Sequence, residues 1–329
     1  MENKFLKITN KNEWQDLLNK VFLKTFFHNQ DWEEFLEKEF PWLKFEHYSY
    51  GDKALLSLAR VRVFGKEKLI SHPFCEYGGP LPLVQSIDWA IFEKDLLEEF
   101  KEPLRIRFHP KVVGGLTSGF RQAEINTYFI EDLHIKTKEQ LLNSFRKTLR
   151  HLILGKHPIN IGLLENDDDL KYLYKLYVQT AKRNMFLPRP FSFFRFFRNS
   201  KDAKIVLARH RNKVIAGSIF LFYDKFIQYA LNASDWRFGN FYPNHLILWQ
   251  EIFENAGGKY EVFDLGGTGV GSELEVFKSG WGAKKYPIFE ISNVKKEGHF
   301  RGSKLRKILP FLPDFLFKKL SSRLLKYKL

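Results

Sequence analysis

The sequence predicts a mixed α/β protein of two similar halves, each a mostly antiparallel sheet flanked by helices. Three observations carry this. The 329 residues exceed the roughly 100 to 200 of one domain, so two domains are expected. Strand and helix patterns alternate, and hairpin signals inside each half argue against a purely parallel sheet. A weak internal repeat sets Leu58-Ala59-Arg60 and Leu207-Ala208-Arg209 each at the head of a strand–turn–strand unit, followed by a helix and a further strand. The expected division is 1–126, 127–294 and a basic amphipathic tail over 295–329.

In chain order, Lys11 to Lys20 carries Trp14, Leu17 and Leu18 on one helical face, and Asp31 N-caps a second helix to Glu39. Ala54 to Phe64 and Lys68 to Phe74 read as a hairpin turning at Gly65, and Gly78-Gly79-Pro80 breaks the chain. A helix from Ile87 to Phe100 leads to a strand, Leu104 to Phe108. After Gly114, Gly115 and Gly119 the pattern restarts with a strand, Thr127 to Ile135. Thr137 to Leu154 reads as one helix, because Leu141, Phe145, Leu149 and Leu152 recur at helical spacing. A helix follows over Asp169 to Ala181, then the aromatic-rich Pro190 to Phe197. Strands are expected at Lys204 to His210, Val214 to Tyr223 and Phe226 to Asn232. Pro243 opens a helix to Ala256, and Tyr260 to Leu265 is a strand.

Composition excludes several classes. At 44% hydrophobic and 28% charged residues the chain can bury a core and is not mainly disordered. Cys75 is the lone cysteine, so no intramolecular disulfide forms, which fits a reducing compartment. The start has no signal-peptide pattern, and no stretch approaches the roughly 18 apolar residues of a spanning helix. The expected location is cytoplasmic, extending to the inner membrane face. Of the net charge of +15, residues 295–329 carry +9. There Leu312, Leu316, Leu320 and Leu324 recur every four residues among Lys318, Lys319, Arg323 and Lys326. That pattern suits a basic amphipathic helix over 304–329, lying on an anionic membrane or returning to the first domain.

The chemistry-bearing motifs are few. Phe263-Asp264-Leu265-Gly266-Gly267-Thr268-Gly269-Val270-Gly271-Ser272 reads as a strand, a glycine-rich loop and a helix start, with a capping box from Ser272 to Glu275 and Gly280 at the helix end. Such a loop can cradle an anion or simply turn. It lacks the Gly-Lys-Ser/Thr of a Walker loop, and too few elements follow Glu290 to complete a dinucleotide fold. Arg146 and Arg150, one helical turn apart, can grip phosphates, with Lys156 nearby; a solvated basic face is the plainer reading. In Thr25 to Trp32, packing explains Phe27, Asp31 and Trp32 better than His28 and Gln30. No metal-ligand spacing occurs: His72 and Cys75 lack a second pair.

These residues resemble the FemAB-type branch of the GNAT acyltransferase superfamily, from Phe26 to about Phe289. The most specific match is Phe263-Asp264-Leu265-Gly266-Gly267 followed by Phe277-Lys278-Ser279-Gly280-Trp281-Gly282-Ala283. The resemblance implies tandem GNAT-like domains and transfer of an acyl or aminoacyl group to an amine of a cell-envelope precursor, related to peptidoglycan or exopolysaccharide. It implies Lys278, Tyr229 and Asp264 at the reaction centre, Arg146, Arg150 and Lys156 on substrate phosphates, and His28, Gln30, Gly266 and Gly267 in substrate binding. Expected partners are a phosphate-bearing envelope precursor, tRNA and an anionic membrane surface. No metal or tightly bound cofactor is expected; the donor is aminoacyl-tRNA or acetyl-CoA. One departure stands out: where acetyl-CoA enzymes of the superfamily carry an Arg/Gln-x-x-Gly-x-Gly/Ala arm, this chain reads Arg237 to Pro243, and Pro243 lacks a backbone donor. The alternatives are an acetyl-CoA-dependent N-acetyltransferase for a sugar amine or small amine, and a non-catalytic nucleic-acid binder.

Overall fold

The computed structural model describes residues 4–63, 65–115, 120–294 and 307–327. The expected strand end at Phe64, the break at Gly119 and the tail residues 295–306 and 328–329 lie outside them. The chain divides into two compact units. Unit 1 is Met1–Thr127, Tyr286–Gly298 and Lys326–Leu329; unit 2 is Tyr128–Lys285 and His299–Leu325.

Unit 1 contains β1 (Phe5–Ile8), α1 (Lys11–Leu18), α2 (Gln30–Glu39), β2 (Leu43–Tyr50), β3 (Ala54–Val63), β4 (Lys66–Ser71), β5 (Leu81–Pro82), α3 (Trp89–Glu99) and β6 (Leu104–Arg107). Its sheet order is β1-β2-β3-β4-β6-β13, where β13 is Lys284–Ser292. All neighbours are antiparallel except β4 and β6. Short polar side chains start the helices: Asn10 accepts from Asn12 N and Glu13 N, and Asp88 accepts from Ala90 N and Ile91 N. The expected cap at Asp31 is instead Asn29, whose Oδ1 accepts from Asp31 N at 2.9 Å, so Asp31 falls in the first turn. Phe5, Tyr50, Trp89, Phe92 and Phe100 share one apolar cluster.

α2 also brings a carboxylate into the unit 1 interior. Glu33 Oε2 lies 2.7 Å from His47 Nε2, while Oε1 accepts from Ser57 Oγ at 2.8 Å and lies 3.1 Å from His72 Nε2. Burial pushes the Glu33 carboxyl up, but hydrogen bonds from both histidines outweigh it and bring it to about 2.

Unit 2 holds β7 (Arg121–Ile130), which enters it from unit 1, then α4 (Lys138–Ser144), α5 (Lys147–Leu154), β8 (Asn160–Leu163), α6 (Asp167–Arg183), α7 (Phe191–Asn199), β9 (Ala203–His210), β10 (Lys213–Tyr223), β11 (Phe226–Ser234), α8 (Pro243–Asn255), β12 (Val262–Gly269) and α9 (Glu273–Ser279). The sheet order is β7-β12-β11-β10-β9-β8. On one face Leu141, Phe145, Leu149, Ile247, Leu248 and Ile252 pack against Val206, Ala208, Phe220 and Phe263. Strand alternation turns Leu207 to the other face, where α6 and α7 pack.

Four expectations change. The repeat is real as topology but shifted by one strand: β3–β4–α3–β6 corresponds to β10–β11–α8–β12, since β4/β6 and β11/β12 are the parallel pairs. Leu207 lies on β9, one strand early. The single helix over 137–154 is two, because Phe145 (ψ 151°) and Arg146 (ψ 139°) are extended. Phe145 is drawn inward, its ring 5.1 Å from Trp281. The expected strand to Ile135 ends at Ile130, and Asp132 has a positive φ of 59°.

The fourth change concerns the tail. A last helix, α10 (Asp314–Leu324), buries Phe317 and Ser321, not the leucine stripe. Leu312, Leu316, Leu320 and Leu324 are only half-buried along its flank. The tail is pinned to α6 of unit 2: Lys182 Nζ donates to Leu312 O at 2.7 Å, pairs with Asp314 at 2.6 Å and lies 5.5 Å from the Phe317 ring.

His28 generates a pH prediction. Thr25 N donates to its Nδ1 at 3.1 Å, so Nε2 carries the proton and donates to Gly78 O at 2.9 Å. Burial, then the neighbouring His72, pushes its pKa down to about 3. Kept neutral in the fold but free to protonate when unfolded, it destabilises the fold as pH falls below 6.5 toward 3. Urea unfolding at neutral pH and near pH ~4.5 should therefore show a shallower acid loss for His28→Gln than for the parent chain. Parallel losses would contradict this.

Candidate active site

The parallel ladder between β11 and β12 is short: Phe226↔Val262, Ile227↔Phe263, Gln228↔Asp264. Beyond Gln228, β11 runs on to Ser234 and β12 to Gly269, so the strands part within unit 2. Both departures have local causes. Between Ile219↔Leu231 and Phe220↔Tyr229 the β10–β11 register shifts, which leaves Ala230 as a bulge. On β12, Gly266 takes a left-handed φ of 77°, open to glycine without strain, and Asp264 Oδ1 accepts from Gly266 N at 2.7 Å. The expected glycine-rich loop is thus mostly strand; only Val270 and Gly271 turn.

A strand that leaves its ladder strands its carbonyls. Lys278 on α9 supplies the missing donors: Nζ donates to Gly266 O at 2.6 Å and Gly267 O at 2.9 Å, and the residue is 5% exposed. Glu275, one turn earlier, fixes the connection. Its carboxylate accepts from Gly271 N at 2.8 Å and Tyr128 Oη at 2.7 Å, and pairs with Lys285 at 3.0 Å. The expected capping box is absent, because Ser272 Oγ bonds Thr268 Oγ1 at 2.8 Å and Glu275 reaches Gly271 instead. Gly280, at the helix end, is right-handed (φ −61°); Gly282 is the left-handed residue, at φ 66°.

Buried polar atoms lie beside the parting strands. Tyr229 Oη and Ser218 Oγ on β10 neighbour one another without ideal hydrogen-bond geometry, and neither has another partner. Burial raises the Tyr229 hydroxyl pKa, with Ser218 opposing weakly, so it stays protonated at neutral pH. Asn244 donates to Ser234 Oγ at 3.2 Å, while its own Oδ1 has no partner. α8 opens behind Tyr242, itself left-handed at φ 53°, and Pro243 supplies no N–H. Tyr242 O already takes His245 N, so few donors remain there for an anion. His245 sits against Phe277 and Trp281, and burial holds it near 4, neutral at pH 7.

Asp264, Gly266, Gly267 and Lys278 therefore form one cluster, and Tyr229 stands on the neighbouring strand. Arg146 joins the cluster's outer side through the α4–α5 break. Its N–H donates to Gly280 O at 2.8 Å, and Nη2 to Val276 O and Ser279 Oγ, both at 3.3 Å. Arg146 is the N-cap of α5, not a mid-helix residue, but Arg150 still follows one turn later, with Nη1 3.3 Å from Asn143 Oδ1. Lys156 is exposed past the end of α5.

His28 and Gln30 belong to unit 1. Both His28 ring nitrogens are satisfied internally, which fits a core residue, and Gln30 bonds Glu34 at 2.8 Å. Among the described residues no cluster of three His, Cys, Asp or Glu could hold a metal. A groove of about 320 Å³ in unit 2, lined by His157, Ile161, Leu246, Trp249 and Phe253, includes none of the predicted residues. Sequence reasoning missed Glu275's network, Ser218 and Asn244. Ser218 had a signal, a lone hydroxyl inside the apolar run Val214 to Tyr223.

Residues 140–279 match the model of the acetyltransferase (GNAT) domain family. No curated protein matches the chain. Among solved structures it is similar to FemX, at 15% identity and TM-score 0.61, over 87% of this chain and 96% of that one. L-PGS from Bacillus licheniformis is similar at 12% identity and TM-score 0.53, over 95% and 98%. A tandem GNAT protein from the clavulanic acid biosynthesis pathway is similar at 10% identity and TM-score 0.51, over 89% and 99%. Residues 140–279 thus match an acetyltransferase (GNAT) domain, and the chain shares the fold of FemX and of a tandem GNAT protein.

Proposed function

We propose that this acyltransferase moves an acyl or aminoacyl group onto an amine of a cell-envelope precursor, and that the parting of β11 from β12 receives the donor carbonyl. The observation that carries the reading is the ladder's end at Gln228↔Asp264, with an unpartnered, protonated Tyr229 hydroxyl just beyond it. The amine attacks the donor carbonyl, a C–N bond forms, and the C–O or C–S bond to the carrier breaks. Tyr229 donates to the developing oxyanion, and water takes the amine proton. Proximity does much of the remaining work, so no triad is needed.

Lys278 is a positioning residue here, since its Nζ is engaged by the Gly266 and Gly267 carbonyls, and Asp264 holds the same backbone from inside. Arg150 and the outer side of Arg146 lie at the start of α5 and Lys156 past its far end, and substrate phosphates would bind along this basic helix. The scarcity of free donors at the α8 start favours aminoacyl-tRNA over acetyl-CoA; the family match to an acetyltransferase domain favours the second donor. An envelope precursor as acceptor follows from the resemblance of the Phe263-to-Gly267 and Phe277-to-Ala283 segments to the FemAB-type branch.

A mass-spectrometric screen of purified protein with charged tRNA and with acetyl-CoA, each against amine acceptors, should register transfer from charged tRNA. Transfer from acetyl-CoA alone would reassign the donor, and none from either would refute the reading. Tyr229→Phe removes an unpartnered hydroxyl, so stability should hold or rise while kcat falls roughly 100-fold, as for loss of one oxyanion donor. Unchanged kcat would remove Tyr229. Arg150→Ala should raise KM roughly tenfold at unchanged Tm, as expected for a lost charge-assisted contact of about 1.5 kcal/mol. Arg146→Ala should lower Tm as well, because it ties α5 to the end of α9.

A further inference from the structure

Docking of the tail leaves three large apolar side chains in water. Ile308 is 59% exposed, Phe311 88% and Phe315 65%, although few other aromatic residues are exposed among the described residues. On α10, Phe315 lies two residues from the buried Phe317, hence on the opposite side of the helix. Lys319 and Arg323 follow Phe315 at steps of four, so they continue the same outward line. Lys307 precedes the group and is exposed. The single acidic residue among the described tail residues, Asp314, is taken up by Lys182. That ion pair and the Lys182–Leu312 hydrogen bond hold the segment in place, so the aromatics are presented on a fixed mount.

An exposed apolar group of this size marks an interaction surface. Its rim decides the partner: uncompensated Lys and Arg beside outward Phe side chains fit a surface that is apolar below and anionic above. We propose that Ile308, Phe311 and Phe315 insert into the interface of an anionic bilayer while Lys307, Lys319 and Arg323 contact its headgroups. This reverses the orientation that the leucine spacing suggests, because the leucines flank the protein-facing side. The inference does not rest on the acyl-transfer reading, and its test uses neither donor nor acceptor.

The full chain is floated with vesicles of phosphatidylglycerol and, separately, of phosphatidylcholine. It should float with the first and much less with the second. Phe311→Ser with Phe315→Ser should lower partitioning to phosphatidylglycerol at least roughly tenfold, since two buried aromatic side chains are lost, with Tm unchanged because both are exposed. Lys319→Gln with Arg323→Gln should weaken it roughly tenfold as well, and added salt should mimic that change. Failure to float, or flotation indifferent to the phenylalanine pair, would overturn the proposal. So would tRNA binding that depends on Lys319 and Arg323 in a chain that does not float.

Discussion

Two hydrogen bonds from one lysine anchor the end of the strand at the centre of this account. Past Asp264, β12 no longer pairs with β11, and the Gly266 and Gly267 carbonyls accept from Lys278 Nζ. Buried carbonyls without donors cost free energy on the order of a few kcal/mol. Lys278 meets that cost from the last turn of α9, and Asp264 restrains the amide of Gly266 from the other side. Everything nearby is built to deliver that lysine: Glu275 fixes the turn before α9, and Arg146 seals the turn after it. The cluster is therefore best understood as a frame around the end of β12, with Tyr229 on the neighbouring strand.

The two units solve the same topological problem with different interiors. Each places a hairpin beside a strand that returns in parallel after a helix, through β4–β6 in one and β11–β12 in the other. In unit 2 the returning strand diverges and polar atoms are left unmatched. In unit 1 the buried Glu33 carboxylate is held by His47 and Ser57 and lies 3.1 Å from His72 Nε2.

Most helices and strands were legible because apolar periodicity reports which face is buried. The failures share a cause: contacts distant in sequence override local preference. Phe145 breaks a periodic helix because Trp281, far along the chain, draws its ring inward. Gly-Gly-Thr-Gly reads as a loop by propensity, yet it continues β12 to Gly269 despite the left-handed Gly266. Asp31 lost the cap to Asn29, a shift of two residues that spacing does not resolve. The leucine stripe of the tail predicts an amphipathic helix but not its rotation, which Lys182 and Phe317 set. The nearness of Lys278 to Gly266 and Gly267 was not legible, because a lysine's partner is invisible in sequence.

The central claim is that Lys278 keeps β12 parted from β11. Hydrogen exchange of the amides from Gly266 to Gly269, compared between the parent chain and Lys278→Met, tests it most directly. The account predicts markedly faster exchange in that segment with β9 and β10 unchanged, accompanied by loss of transfer activity. Unaltered exchange at Gly266 to Gly269 together with normal turnover would contradict it.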